Sequence, residues 1–279
     1  MIEAITQSIV NQIGRCPVQF EFRHIKGLIV PPGVAARKGS AAHKGAEIAH
    51  RYRVDHNNAN PPVELIQDTT RDEFLRLVND EGVIIPKEDL YVEGKNKILA
   101  NAQDQAILLA KSYVENYLTN WVDKIALFEK RLYADVGIGI PISGKPDLVA
   151  DGINNDVKTS GMRWTDGAER FEVQPTMYRL LLRENGFGVL DSRYTVLTNM
   201  SNGPAKNIHD GTIWDTENRV CIDVLDTERT DEDEKKLIYK LEIYIEMIEK
   251  GLFPPCRQGK GAWWCTPTFC GYYYMCKYT

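Results

Sequence analysis

Residues 144–160 read GKPDLVADGINNDVKTS, and the turn in their middle decides the rest. Asp151-Gly152 is a two-residue hairpin signal, because a type I′ turn needs positive φ at both central positions. Counting outward from it sets Ala150 against Ile153 and brings Asp147 opposite Asp156. Side chains opposed in this way have Cβ atoms roughly 4.5–5.5 Å apart. Leu148, Ala150, Ile153 and Val157 fall on the alternate face, a candidate core face. Lys158 returns to the face of the aspartates. Two opposed carboxylates repel unless positive charge sits between them. A hard divalent cation such as Mg²⁺, held by one or two carboxylates with water and phosphate oxygens, answers that repulsion. Solvated aspartates flanking a turn are the plainer reading of either short motif alone; the register and Lys158 favour the cation. A three-residue loop would set the two aspartates on opposite faces.

Around the hairpin the period changes. Upstream the chain reads as helix: IEAITQSIVNQI ending at Gly14, GSAAHKGAEIAHRYR capped by Ser40, PPVELIQDTTRDEFLRLVND, and NAQDQAILLAKSYVENYLTNWVDK through Lys124. IALFEKRLYADV and the hairpin itself read as strands, as does GVLDSRYTVLTNM. VQPTMYRLLLREN is a helix with Pro175 in its first turn, and EDEKKLIYKLEIYIEMIEKG is an amphipathic helix stopping at Gly251. The expected fold is one α/β domain over residues 1–279: a central mixed sheet flanked by helices, a helical insertion at about 60–120, and a cysteine-rich region at 256–276.

The chain has 279 residues and a formal net charge of −5. That balance argues against a general nucleic-acid coat and leaves room for a local basic groove. No apolar run is long enough for a membrane span, and MIEAITQSIV lacks the features of a signal peptide. The expected location is the cytoplasm. There are 6 cysteines, at 16, 221, 256, 265, 270 and 276. Four crowded into the last two dozen residues point to a metal site ahead of disulfides.

Pro146-Asp147 followed by Asp156-Val157-Lys158 resembles the motif of PD-(D/E)xK nucleases. His43 in GSAAHKGAE is similar to the G-x-x-x-H helix of RecB-like and Cas4-like members. Gln174 and Tyr178, at i and i+4, are similar to their Q-x-x-x-Y motif, and RCPVQF to their C-P-x-x-F segment. The resemblance spans nearly the whole chain and implies a restriction-endonuclease-like fold. It also implies that His43, Asp147, Asp156 and the Val157 carbonyl bind Mg²⁺ or Mn²⁺. Lys158 then orients the attacking water and stabilises charge on the scissile phosphate, and Gln174 and Tyr178 contact DNA or steady the site. His50 is the rival for the histidine role. Glu47 shares the His43 face as a second partner or a solvated residue. Glu129 flanks the site and is not expected as a ligand.

Cas4-like and AddB-like nucleases carry three C-terminal cysteines and one far upstream around a [4Fe–4S] cluster, as thiolate chemistry suits. By that resemblance Cys16, Cys265, Cys270 and Cys276 are the ligands. The four residues between Cys265 and Cys270, where two are common, keep Cys256 open as an alternative to Cys16, and structural Zn²⁺ open as an alternative to the cluster. Cys221 reads as a small apolar strand residue. Trp263, Trp264 and Tyr272 to Tyr274 are expected to pack around the cysteines rather than stack on bases.

The implied function is a metal-dependent exonuclease acting on DNA ends or single strands, in recombination, repair, phage replication or CRISPR adaptation. Its alternatives are an idle DNA-end-binding or partner-binding module and a zinc-stabilised endonuclease. No G-x-x-x-x-G-K-[ST] loop is present, so unwinding would fall to a helicase, recombination or adaptation partner.

Overall fold

The computed structural model describes residues 2–119, 125–164, 167–188, 191–200, 211–256, 262–267 and 269–278. In chain order the elements are β1 (Ile5–Thr6), α1 (Gln7–Arg15), α2 (Pro17–Phe20), α3 (Val34–Asp55), α4 (Val63–Asp80), α5 (Lys87–Val92), α6 (Lys95–Ser112), β2 (Ile125–Phe128), β3 (Leu132–Ala134), β4 (Ile142–Gly144), β5 (Leu148–Ala150), β6 (Ile153–Ser160), α7 (Gln174–Glu184), β7 (Asp191–Asn199), β8 (Thr212–Asp215), β9 (Val220–Thr227) and α8 (Asp231–Glu249).

Six strands form a mixed sheet in the order β2-β5-β6-β7-β9-β8, and β1-β4-β3 form a smaller one. The hairpin forms as counted: φ is +51° at Asp151 and +78° at Gly152, and Ala150 pairs with Ile153, Val149 with Asn154, Leu148 with Asn155. One step beyond that ladder stand Asp147 and Asp156. β6 then runs parallel to β7 along all eight of its residues, so the strand carrying Asp156 and Lys158 is held on both edges.

The hairpin divides two cores. Leu148, Ala150 and Val157 pack with α3, α4 and α6 through Ala41, Ala46, Ile66 and Leu109. Val149, from the opposite face, packs with α1, α7 and α8 through Ile9, Met177 and Leu241. The helices of the 60–120 region therefore cover one face of the large sheet by way of the alanine-rich α3. α8 starts at a capping box between Thr230 and Asp233, and four acidic residues in its first turn complement the helix dipole.

Two expectations are corrected. Ile5 and Thr6 leave the expected first helix to pair in parallel with Ile142 and Ser143; Thr6 caps α1 instead, its hydroxyl accepting from the Ile9 N–H. Ser40 caps nothing, because α3 starts at Val34, two turns earlier; alanine and lysine there continue a helix readily. The short α2 and α5 carry too few periodic residues to be read beforehand. The expected helix end at 120–124 and the strand start at 189–190 lie outside the described residues. Among the described residues no helix is long and apolar enough to cross a membrane.

Candidate active site

Gly39 sets the position of α3 against the sheet. A Cβ there would lie 2.6 Å from Thr159 Oγ1, so the bare backbone lets the helix approach β6 closely. One turn on, His43 reaches the strand: its Nε2 stands 2.5 Å from the Val157 carbonyl oxygen and 3.1 Å from Asp147 Oδ2. The same oxygen of Asp147, Oδ2, also accepts the Val157 N–H at 2.8 Å. The histidine of the helix, the aspartate just before β5 and the backbone of β6 thus meet at one point.

Glu129 joins them. It lies one residue past β2 with φ at +48°, a left-handed conformation that a non-glycine residue holds only at a cost. Its N–H donates to the Pro146 carbonyl, which ties it to the residue preceding Asp147. One carboxylate oxygen pairs with Lys145 and the other lies 3.9 Å from His43 Nδ1. His43, Glu129 and Asp147 each offer a ligand atom within 4.8 Å of the others. The sequence reading set Glu129 aside as a ligand; the pairing of β2 with β5, invisible without the sheet order, brings it in. His50, the rival, is buried one helical repeat away with its Nε2 2.8 Å from the Tyr113 hydroxyl. Glu47 is engaged by Lys44 and Arg51.

The second aspartate stands in a different network. Asp156 Oδ2 lies 2.5 Å from Lys158 Nζ, and its Oδ1 accepts from the Gln174 amide. Gln174 also accepts from Lys158 at 2.8 Å, so one amide braces both charged groups. Tyr178, one turn along α7, donates to the Lys145 carbonyl, and its ring rests where a Cβ on Gly144 would come within 2.5 Å. Gln174 and Tyr178 thus both reach the site's neighbourhood from α7.

The charges sort accordingly. Burial disfavours ionisation of both aspartates, but the His43 imidazolium outweighs it at Asp147, whose pKa is lowered. At Asp156 burial and repulsion from Asp147 prevail over Lys158, and its pKa is raised. Opposed carboxylates that cannot both ionise cheaply separate in this manner. Burial works against a charged His43, yet Asp147 raises its pKa to about 9; the imidazolium supplies the positive charge that the carboxylates demand. Lys158 is also held above its ordinary pKa, Asp156 and Asp147 outweighing burial. It is an ammonium donor near neutral pH and not a base.

One nitrogen, two carboxylates and a carbonyl oxygen suit Mg²⁺ or Mn²⁺. His43, Glu129 and Val157 line an open cleft, with Lys44, Lys145, Lys158 and Arg15 also on its walls. The sequence profile of the PD-(D/E)XK nuclease superfamily matches residues 4–277. The chain belongs to that superfamily. Nucleases of the PD-(D/E)XK superfamily use divalent metals, and the donor set found here agrees. A crystal structure of a "putative exonuclease" from Eubacterium rectale is similar at 13% identity and a TM-score of 0.48, over 91% of this chain and 84% of that one. None of the curated proteins compared with this superfamily member matches it.

Behind the cleft lies a second cluster. Cys16, Cys256, Cys265, Cys270 and Cys276 all line one small apolar space between α2 and the tail. Gln19 donates to Cys270 Sγ at 3.2 Å. Burial, then Cys16 and Cys265, push the Cys256 thiol up to about 12, and burial raises Cys270 despite Gln19. Four expected ligands and the alternative Cys256 therefore share one pocket. Cys221 is buried in β9, away from it. Tyr272 packs as expected, its hydroxyl donating to the Leu28 carbonyl. Trp263 and Tyr274 do not: they are exposed.

Proposed function

We propose that the protein is a divalent-metal-dependent deoxyribonuclease acting as an exonuclease on DNA ends or single strands. The observation that carries this reading is the meeting of His43, Asp147, Glu129 and the Val157 carbonyl on the cleft wall, with Lys158 braced beside them. Those four donors, with Asp156 adjoining, would hold Mg²⁺ or Mn²⁺. A cation there lowers the pKa of a bound water and neutralises charge on a phosphate.

The chain's own residues do the rest. Lys158, an ammonium, donates hydrogen bonds to the attacking water and to a non-bridging phosphate oxygen. Water oxygen bonds to phosphorus and releases its proton to solvent, the bond from phosphorus to the leaving sugar oxygen breaks with its electron pair on that oxygen, and solvent protonates that oxygen. Gln174 keeps Lys158 and Asp156 at fixed separation, and Tyr178 anchors the loop through the Lys145 carbonyl. Asp147→Ala and Lys158→Ala are each expected to abolish Mn²⁺-dependent degradation of linear DNA while the circular dichroism spectrum is retained. Full activity in both overturns the reading.

The cysteine pocket supports a second assignment, a [4Fe–4S] cluster held by Cys16, Cys265, Cys270 and Cys276, with Cys256 as the alternative ligand. Its donor set is all sulfur and its wall is apolar, and an N–H already points at one sulfur, as outer-sphere partners of such clusters do. Zn²⁺ is the competing occupant. Anaerobic purification with iron, acid-labile sulfide and zinc analysis separates the two: one zinc per chain without sulfide rejects the cluster.

A further inference from the structure

The cleft does not end at His43 and Lys158. Beyond Ala35 and Ala36 its wall passes to Arg15 of α1 and Trp263 of the tail. A second groove shares Arg15, Ala35 and Ala36 with it and continues over Arg23, Ile98 and Phe269. Trp263 and Phe269 meet edge to face with centroids 4.9 Å apart, yet 59% of the one and 62% of the other are exposed. Two adjacent large rings left in water are unfavourable unless something covers them. Tyr272, a few residues on, shows how the same tail packs a ring it needs for stability: it is 6% exposed. Among the described residues no carboxylate pairs with Arg15 or Arg23.

Exposed rings beside unpaired cations suit an unpaired nucleic-acid strand, whose bases stack on the rings while its phosphates meet the cations. A duplex has its bases stacked internally and offers nothing to those rings. The continuity of the two grooves directs such a strand to the candidate cation centre. Resting on the nuclease reading above, we propose that Trp263 and Phe269, with Arg15 and Arg23, form a track that delivers an unpaired DNA strand to His43, Asp147 and Lys158. The substrate is then single-stranded DNA or the frayed end of a duplex.

The test is fluorescence anisotropy with a labelled oligo-dT of about 12 nucleotides and a blunt duplex of equal length. Ca²⁺ replaces Mg²⁺ so that the probes survive. Trp263→Ala and Phe269→Ala are each expected to weaken oligo-dT binding about tenfold, with a smaller loss on the duplex. Trp263→Phe, which keeps a ring and guards against a collapsed tail, should bind oligo-dT within about threefold of the parent. Arg15→Gln with Arg23→Gln should lower the slope of log affinity against log salt by about 0.7 per arginine. Equal losses on both probes, or none on oligo-dT, overturn the track. A parent protein that cuts both probes with Mn²⁺ while the ring variants bind normally overturns the track alone. A parent that cuts neither overturns the nuclease reading.

Discussion

The cation centre and the cysteine pocket are built in opposite ways. At the first, the hairpin register, the approach of α3 and the pairing of β2 with β5 bring His43, Asp147 and Glu129 together, and internal ion pairs offset the buried charge. At the second, five thiols from two distant stretches face one another in an apolar space with one polar neighbour, Gln19. Burial raises the pKa of the Cys256 and Cys270 thiols, and a bound metal would favour their thiolates. A preorganised polar site costs little to load. A metal held by the cysteines would tie the irregular tail to the start of α2.

The contrast breaks most sharply if damage at one site spreads to the other. Asp147→Ala should lower DNA hydrolysis by about 10³-fold while iron or zinc content stays at the parent's level. Cys270→Ser should empty the pocket and cost about 4 kcal/mol, seen as a clear drop in melting temperature. If Asp147→Ala strips the cysteine-bound metal, or Cys270→Ser leaves melting unaltered, the two regions are not built as described.

Smaller effects sharpen it. His50 is buried, and burial holds its pKa at about 4 against an ordinary 6.5. A histidine kept neutral in the fold contributes stability that is complete above 6.5 and is lost as pH falls towards 4. In divalent-free buffer that loss should reach about 3 kcal/mol, and His50→Gln should flatten it in urea titrations. His43 acts in the reverse sense: its contribution is complete below 6.5 and is lost as pH rises through 9. Gly39→Ala should push α3 from Thr159 and cost about 1–3 kcal/mol, with weaker Mn²⁺ binding by calorimetry because His43 retreats. Glu47→Gln should change stability by less than about 0.5 kcal/mol.

How much could be read from residues alone follows from where the information sits. The hairpin was legible because Asp151-Gly152 specifies one turn and a turn specifies a register. His43, Gln174 and Lys158 were legible because each belongs to a spaced motif on a regular element. Glu129 was not: its place depends on β2 lying beside β5, a neighbour relation that no local pattern encodes. The brief β1 was lost for a similar reason, since two residues that pair with a distant strand look like the first turn of the helix that follows. Trp263 was misjudged because aromatic residues near cysteines suggest packing, and exposure is a tertiary property.

The cysteine pocket also sets a schedule. Cys16 waits near the start of the chain for Cys276, and translation at about 5–20 residues per second keeps them apart for tens of seconds. The hairpin, its flanking helices and the cation centre lie between the two and emerge first. The cleft is thus able to fold while the pocket is still open, and any metal the pocket takes would enter last. Interrupted synthesis would yield a chain that holds the His43, Glu129 and Asp147 cluster without the tail cysteines.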